Sequence, residues 1–440
     1  MFALILAGMT ASSATSSGGA ASALGQYIVV LKPGADRAAE IAIARSLDGD
    51  VLMQYKHALN GFAARLPAAA LRAIERRANI LFVSVDGELR ATACDPSAAQ
   101  CLPTGVDRIE GDRSSTKAGD GRGSVGVNVA VIDTGIATHP DLNVVGGIDC
   151  QSGKGFDDPA GHGTHVAGTI AAKDNQVGVV GVAPGARLFA VRALDKNGFG
   201  TLGKIICGID WVTGTRMDAD PTNDIAVANM SLSGPGSDDS NCGRTNKDAM
   251  HLAICNSAAT GVAYVVAAGN SGQDFQVAVP ASYDEVLTVT AMTDLDGRPG
   301  ALASPAGSCF PPDFQSQISD DSAIFFSDFA TVAADQAHTI AAPGVCILST
   351  VPPNSDIFTP GAFYDYDSGT SMSSPNAAGT VTLCIASGAC AGLTASQIIQ
   401  KIVGDATAYS TKNTGYGFQG DPLRPVAGRY YGYLIRAGLY

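Results

Sequence analysis

The sequence predicts an α/β protein: a doubly wound, mostly parallel sheet preceded by a small ferredoxin-like α+β unit. Three observations carry this. Residues 126–440 alternate apolar strands with helices, and the strands are apolar at consecutive positions, as expected of a parallel sheet covered on both faces. Residues 27–90 read in the order β-α-β-β-α-β. Between them, residues 91–125 turn polar and carry Cys, Pro, Gly and Ser, which marks a connecting segment.

In the first unit, 27–31, 51–55, 61–66 and 81–85 read as strands. Residues 37–45 and 67–77 read as helices, the second opening on a proline that suits a first helical turn. In the larger unit the strands are expected at 127–132, 187–191, 225–230, 262–267 and 286–290, and the helices at 162–172, 202–212, 248–258, 371–386 and 395–402. Doubly wound sheets build their sites at the carboxyl ends of strands. Residues 294–338, with Cys309, Pro311, Pro312, Asp320 and Asp321, are expected to form a surface loop before Ala341-Ala342-Pro343-Gly344.

Composition sets bounds. A chain of 440 residues, 46% hydrophobic and 16% charged, suits a large packed core plus one smaller unit. Its 52 glycines fit many tight turns. No apolar stretch reaches the roughly 18 residues that span a bilayer. A net charge of −13 with no basic cluster argues against a nucleic-acid partner. Nine basic residues against seven acidic ones give residues 27–90 a net +2, leaving −15 for the rest. The two parts are therefore electrostatically complementary.

Residues 1–23 look like an export leader. Phe2 to Met9 form a short apolar core, and a small polar stretch ends in Ala21-Ser22-Ala23, a small-x-small cleavage signal. No Lys or Arg precedes Lys32, a departure from the charged start of such leaders. Ten cysteines fit an oxidising compartment, so a secreted, extracellular protein is expected. None stands in a Cys-x-x-Cys spacing. The pairs expected are Cys242–Cys255, Cys309–Cys346 and Cys384–Cys390, although spacing does not determine pairing.

The chemistry concentrates in four segments. Gly369-Thr370-Ser371-Met372-Ser373-Ser374-Pro375 puts a serine among small residues at a helix start, where the backbone dipole favours developing negative charge. Gly161-His162-Gly163-Thr164-His165 offers a base, and Val131-Ile132-Asp133-Thr134-Gly135 offers a carboxylate at the end of an apolar strand. Val265-Val266-Ala267-Ala268-Gly269-Asn270 adds an amide. Each alone has an ordinary reading: a helix cap, a strand-end turn, a Gly-Asn turn. Two histidines three apart suggest a metal site, but no His-Glu-x-x-His pattern accompanies them.

Together, in the order Asp, His, Ser, these segments resemble the subtilisin family of serine endopeptidases. The resemblance implies that Ser371 attacks the scissile carbonyl and that His162 relays the proton. It implies that Asp133 orients the imidazole, and that the Asn270 side chain and the Ser371 N–H face the oxyanion. An aspartate in place of Asn270 would instead have matched acid-acting relatives with a Ser-Glu-Asp set. His165 is expected to be a structural, hydrogen-bonding histidine. Residues 27–90, notably Tyr27-Ile28-Val29-Val30-Leu31-Lys32 and Asn60-Gly61-Phe62-Ala63, resemble the inhibitor-type propeptide of this family. Such propeptides act as intramolecular chaperones and inhibitors. A cut between about Leu89 and Cys101 is expected, with residues 91–125 holding the processing segment and mature N-terminus and 126–440 the catalytic domain.

The resemblance also implies a substrate strand at Ser231, Leu232, Ser233 and Gly234, faced by Ala268 and Gly269. The family usually has glycine where Ser233 stands, so its side chain is expected to narrow the S1 entrance. A floor near Ala278, Val279 and Pro280 implies a medium-sized hydrophobic P1. Asp141 and the loop 169–181 match the family's calcium site, which implies the Asn175 side chain and the carbonyls of Lys173, Val177 and Val179 around a structural Ca²⁺. Residues 294–338 stand as an insertion relative to shorter family members. The expected function is thus a monomeric, self-processing, secreted serine endopeptidase acting on proteins and peptides. The rival readings are a catalytically silent peptide-binding scaffold and a narrow-specificity processing protease. The added β-domain that would mark the latter is not expected after the 395–402 helix.

Overall fold

The computed structural model describes residues 25–56, 59–85, 99–306, 308–310, 312–355 and 357–440. The expected leader and the expected cut after Leu89 lie outside these residues, apart from the last few positions before Cys101. The chain divides into two compact units, one up to Ala93 and one from Cys94 onward. Among the described residues, no helix is long and apolar enough to cross a membrane.

The small unit runs β1 (Gly25–Leu31), α1 (Arg37–Ser46), β2 (Asp50–Tyr55), β3 (Gly61–Leu66), α2 (Ala68–Glu75) and β4 (Ile80–Val85). Its sheet has the order β2-β3-β1-β4 with every pair antiparallel, as the βαββαβ pattern requires. The Asp36 carboxylate accepts from the Ala38 and Ala39 N–H groups and starts α1. Val29, Leu31, Phe62, Ala64 and Leu66 on one sheet face pack on Ile41, Ala44, Ala70 and Ile74 of the helices.

The large unit begins with α3 (Thr104–Arg108), β5 (Asn128–Asp133), β6 (Val144–Asp149), α4 (His162–Ala171), β7 (Arg187–Arg192) and α5 (Leu202–Thr215). There follow β8 (Val227–Met230), β9 (Gly234–Pro235), α6 (Ala249–Ala259), β10 (Ala263–Ala267), β11 (Ala278–Val279) and β12 (Val286–Thr293). It ends with β13 (Ser322–Ala323), α7 (Ala333–Ala337), β14 (Thr339–Pro343), β15 (Ile347–Thr350), β16 (Tyr364–Asp367), α8 (Thr370–Ala386) and α9 (Ala395–Lys412). The main sheet has the order β13-β12-β10-β8-β5-β7-β6, with β14 also on β12. All its pairs are parallel except β12–β13.

Both faces of this sheet are covered, which explains the unbroken apolar runs. Along β5, Val129 and Val131 enter one core while Ala130 and Ile132 enter the other. Along β10, Val265 faces the first core and Tyr264 and Val266 the second.

Three expectations change. Strand β6 is not among the expected strands; it carries Gly146 and Gly147. Gly147 has φ 158, and a Cβ there would meet the Ala190 carbonyl at 2.1 Å, so glycine lets β6 lie against β7. Helix α9 runs past Gly404 to Lys412, since Ala406 and Ser410 are buried on its inner side. Residues 294–338 are not simply a surface loop. Ile318, Ile324 and Phe326 pack with Ala291, Val345 and Cys346, and β13 joins the sheet. The buried Arg108 guanidinium ties this segment to α3 through Asp321 Oδ1 at 2.8 Å.

The disulfides Cys242–Cys255, Cys309–Cys346 and Cys384–Cys390 are all present. Cys150–Cys207, which was not anticipated, joins the end of β6 to α5. Cys101 is disulfide-bonded as well.

Candidate active site

Asp133 is the last residue of β5 and is fully buried. Its Oδ1 accepts from His162 Nδ1 at 2.7 Å and from the Thr134 N–H at 2.7 Å. His162 opens α4. Gly161 before it has φ 101, a left-handed turn that glycine adopts without strain. Gly163 after it lets the helix approach the strand, since a Cβ there would meet the Gly135 carbonyl at 2.2 Å. Burial opposes a charge on the His162 ring. The carboxylate of Asp133, aided by Asp367 and Asp158, outweighs that and raises its pKa above the ordinary 6.5.

Two residues that the motif did not reveal hold this pair. Asp158 is buried, and its carboxylate accepts from Thr134 Oγ1, Thr164 Oγ1 and the N–H groups of Ala160, Gly161 and Thr164. Thr134 Oγ1 in turn accepts from the Gly163 N–H at 3.0 Å. The strand end and the helix start are thus one hydrogen-bonded piece. His165 is buried, bonds the Ile347 carbonyl through Nε2 at 2.9 Å and stacks on Phe358, the structural role expected of it.

Ser371 is the second residue of α8, as a helix-start serine should be. Its Oγ donates to the Ser231 carbonyl at 3.4 Å, and no hydrogen bond to His162 forms among the described residues in this rotamer. Ser231 Oγ donates back to the Ser371 carbonyl at 2.9 Å and lies 2.8 Å from Ser374 Oγ. Asn229, inside β8, supplies a further donor to Ser231 Oγ at 2.9 Å.

Asn270 is exposed just beyond β10. Its Oδ1 accepts from the Thr370 N–H and Oγ1 at 2.8 and 2.9 Å. That grip leaves Nδ2, the donor end, beside Gly369. The turn is braced from the 294–338 segment. Asp328 Oδ1 accepts from the Ser271 and Gln273 N–H groups, and the Asp328 N–H donates to the Gly269 carbonyl. Nothing near Asn270 in sequence announces Asp328.

Of the expected substrate residues, Ser231 is buried, Leu232 half-buried and Ser233 exposed. Gly234 pairs with Val279 through β9 and β11, which brings the expected S1 floor beside the expected substrate strand. Ala268 and Gly269 are buried, and the Gly269 N–H donates to Thr370 Oγ1.

The five expected calcium ligands also converge. Asp141 is buried, with Oδ1 accepting from Asn175 Nδ2 at 3.0 Å and Oδ2 from the Val179 N–H at 3.1 Å. Burial raises its pKa to about 6 despite these bonds. The carbonyls of Lys173, Val177 and Val179 all lie within 2.8–3.5 Å of Gln100 Nε2. Gln100 went unnoticed in the sequence. It reaches the loop because Cys101 forms a β-bridge with Val179. An amide can present either end, and Oε1 is the end that would face a cation. The buried Asp141 carboxylate, with the carbonyl and amide oxygens around it, forms a hard donor set that fits Ca²⁺.

The model of the subtilase family, peptidase family S8, matches residues 124–419. The model of peptidase inhibitor I9 matches residues 26–92. Subtilisin DY of Bacillus licheniformis is 35% identical over 314 residues, covering 70% of this chain and 93% of that protein. Subtilisin E of Bacillus subtilis is 33% identical over 343 residues, 77% of this chain and 73% of that protein. A thermostable alkaline protease of Halalkalibacterium halodurans is 30% identical over 359 residues, 81% and 80% respectively. Since the family model spans most of the large unit and relatives 30–35% identical cover 70–81% of the chain, it belongs to the subtilase family of serine endopeptidases.

Proposed function

We propose that this is a secreted, self-processing protease whose Asp133, His162 and Ser371 act as a catalytic triad. The observation that carries the reading is the 2.7 Å bond from His162 Nδ1 to the buried Asp133. It places the proton on Nδ1 and leaves Nε2 free to accept. Ser371 Oγ would rotate from Ser231 toward Nε2 as substrate arrives; catalytic hydrogen bonds are often loose before that. His162 then takes the hydroxyl proton as Oγ attacks the carbonyl carbon. Asn270 Nδ2 and the Ser371 N–H donate to the oxygen as it gains charge. His162 returns the proton to the leaving amine, and water hydrolyses the acyl-enzyme by the reverse sequence.

The substrate backbone would pair with Ser231–Gly234 by strand addition. Ser233 and the small apolar residues around Ala278 and Val279 favour a medium-sized hydrophobic P1. Gln100, Asp141, Asn175 and the three carbonyls would hold a structural Ca²⁺, which neutralises the buried carboxylate and ties the 173–179 loop to residue 100. The unit at 27–90 would assist folding and inhibit the enzyme until the chain cuts itself before Cys101. Export is supported by the apolar leader and by the disulfides, with no free cysteine among the described residues.

Expression of the full chain beside Ser371→Ala tests this. The wild type should shed its first ~90 residues and label with a fluorophosphonate probe, and the variant should do neither. Shedding by the purified variant, or a wild type that never labels, would overturn the reading.

A further inference from the structure

His251 belongs to α6 and takes no part in the chemistry above. Its side chain is 1% exposed and stacks flat on Tyr283, with ring centroids 4.0 Å apart. Its Nε2 lies 2.8 Å from Glu285 Oε2. A carboxylate only accepts, so Nε2 carries a proton. Burial opposes a charge on the ring, but the carboxylates of Glu285, Asp238 and Asp239 outweigh it and raise the pKa of the ring, so a metal at Nδ1 would take the place of a proton there. That Nδ1 is buried with no hydrogen-bond partner. It faces Asp238 Oδ1 and Asp239 Oδ1, each at 3.6 Å.

The distance is informative. It is too long for a hydrogen bond. Two ligands that each stand about 2.0–2.2 Å from a tetrahedral ion lie roughly 3.3–3.6 Å apart. Both carboxylates are already set in place. Asp238 accepts from the Ser240 N–H, and Asp239 from the N–H groups of Asn241, Gly243, Thr245 and Asn246. Asp284 hydrogen-bonds Asp238, a contact that needs a proton on one of the two carboxyls, and burial and the charge of Asp238 raise the Asp284 pKa. Cys242 and Cys255, also beside Glu285, are locked in their disulfide and offer no thiolate.

We propose that His251 Nδ1, Asp238 and Asp239 form a divalent transition-metal site of the zinc type, with Glu285 orienting the imidazole from behind. A carboxylate on the far nitrogen is the usual support of a metal-bound histidine. One nitrogen and two carboxylates suit Zn²⁺ better than the all-oxygen preference of Ca²⁺. The site joins the segment after β9 to α6, and Glu285 follows β11. Since β9 pairs with β11 through Gly234 and Val279, the metal would clamp the edge next to the proposed S1 pocket.

The test uses the full chain carrying Ser371→Ala, which keeps it intact, and the same chain with Asp238→Asn or His251→Gln added. Each is dialysed against zinc chloride, and bound zinc is counted by mass spectrometry. The parent should hold one zinc more than either variant, with affinity at least tenfold tighter, and equimolar calcium should not displace it. Cobalt in place of zinc should give the visible absorption of a four-coordinate nitrogen–oxygen site in the parent alone. Zinc captured at His162 would appear equally in all three chains. A parent without zinc, equal zinc in parent and variants, or displacement by equimolar calcium would overturn the proposal. Should His251→Gln fail to fold, Asp238→Asn, in a partly exposed loop, gives the same comparison.

Discussion

Asp158 accepts a 2.8 Å hydrogen bond from Thr134 Oγ1, and this bond ties the strand end bearing Asp133 to the turn that starts the His162 helix. Four further donors converge on the same carboxylate. Replacing Asp158 by alanine strips partners from buried donors, each at about 1–3 kcal/mol. The variant should lose at least about 3 kcal/mol of stability in denaturant titrations and drop kcat more than it changes KM. A loss under about 1 kcal/mol with kcat intact would show that the turn stands without it.

The Asp133 carboxylate sets a pH dependence. The raised pKa of His162 means the ring holds its proton to higher pH than a free imidazole, and the protonated ring accepts nothing from Ser371. Activity should therefore rise with pH, with the half-maximum of kcat/KM above 6.5, and fall away below it. A profile on a peptide substrate measures this. A half-maximum below 6.5 would mean that burial outweighs Asp133.

Asn270→Ala removes a donor that Thr370 holds in place. Turnover should fall about 100- to 1,000-fold with KM little changed. Steady-state kinetics on one substrate separate the two. An equal loss from raised KM would assign Asn270 to ground-state binding instead.

Chelation should lower the melting temperature of the wild type. A cation at 100 times its Kd adds about 2.7 kcal/mol to stability. Asp141→Asn should melt lower from the outset and lose most of its response to chelator. Thermal scans with and without chelator read both effects. A wild type indifferent to chelator would count against the calcium site.

Cys150–Cys207 closes a loop with a sequence separation of 57. Changing both residues to serine should cost about 2–4 kcal/mol in equilibrium unfolding. It should leave the pH profile unchanged, because among the described residues neither cysteine is a hydrogen-bond or ion-pair partner of Asp133 or His162. A shift in that profile would indicate that the β6–α5 link positions the active site.

Much of the architecture was legible because local chemistry dictates it. Unbroken apolar runs such as 129–132 need apolar cover on two sides, so a parallel sheet followed. The βαββαβ order of the first unit appeared with nearly the expected boundaries. Asp133, His162, Asn270 and Ser371 could be picked out because their four segments, in the order Asp, His, Ser, together resemble the subtilisin family, although each alone reads as a cap or a turn. Their meeting, however, depends on separations of 29 and 100 or more residues. The parallel order of β5, β8 and β10, with α8 packed on β8 and β10, closes those distances.

The bracing residues stayed hidden for the same reason. Asp158, Asp328 and Gln100 look like ordinary loop residues. Asp328 acts on Asn270 through the main-chain groups beside it, from a segment read as a surface loop, and Gln100 acts through three carbonyls that carry no side-chain signature. His251 lay in an unremarkable helix until packing buried it against Asp238, Asp239 and Glu285. The sequence determined the elements and the reactive groups, since propensity and small-residue context act over a few positions. Tertiary structure decided which buried polar atoms found partners, since that depends on contacts between segments far apart in the chain.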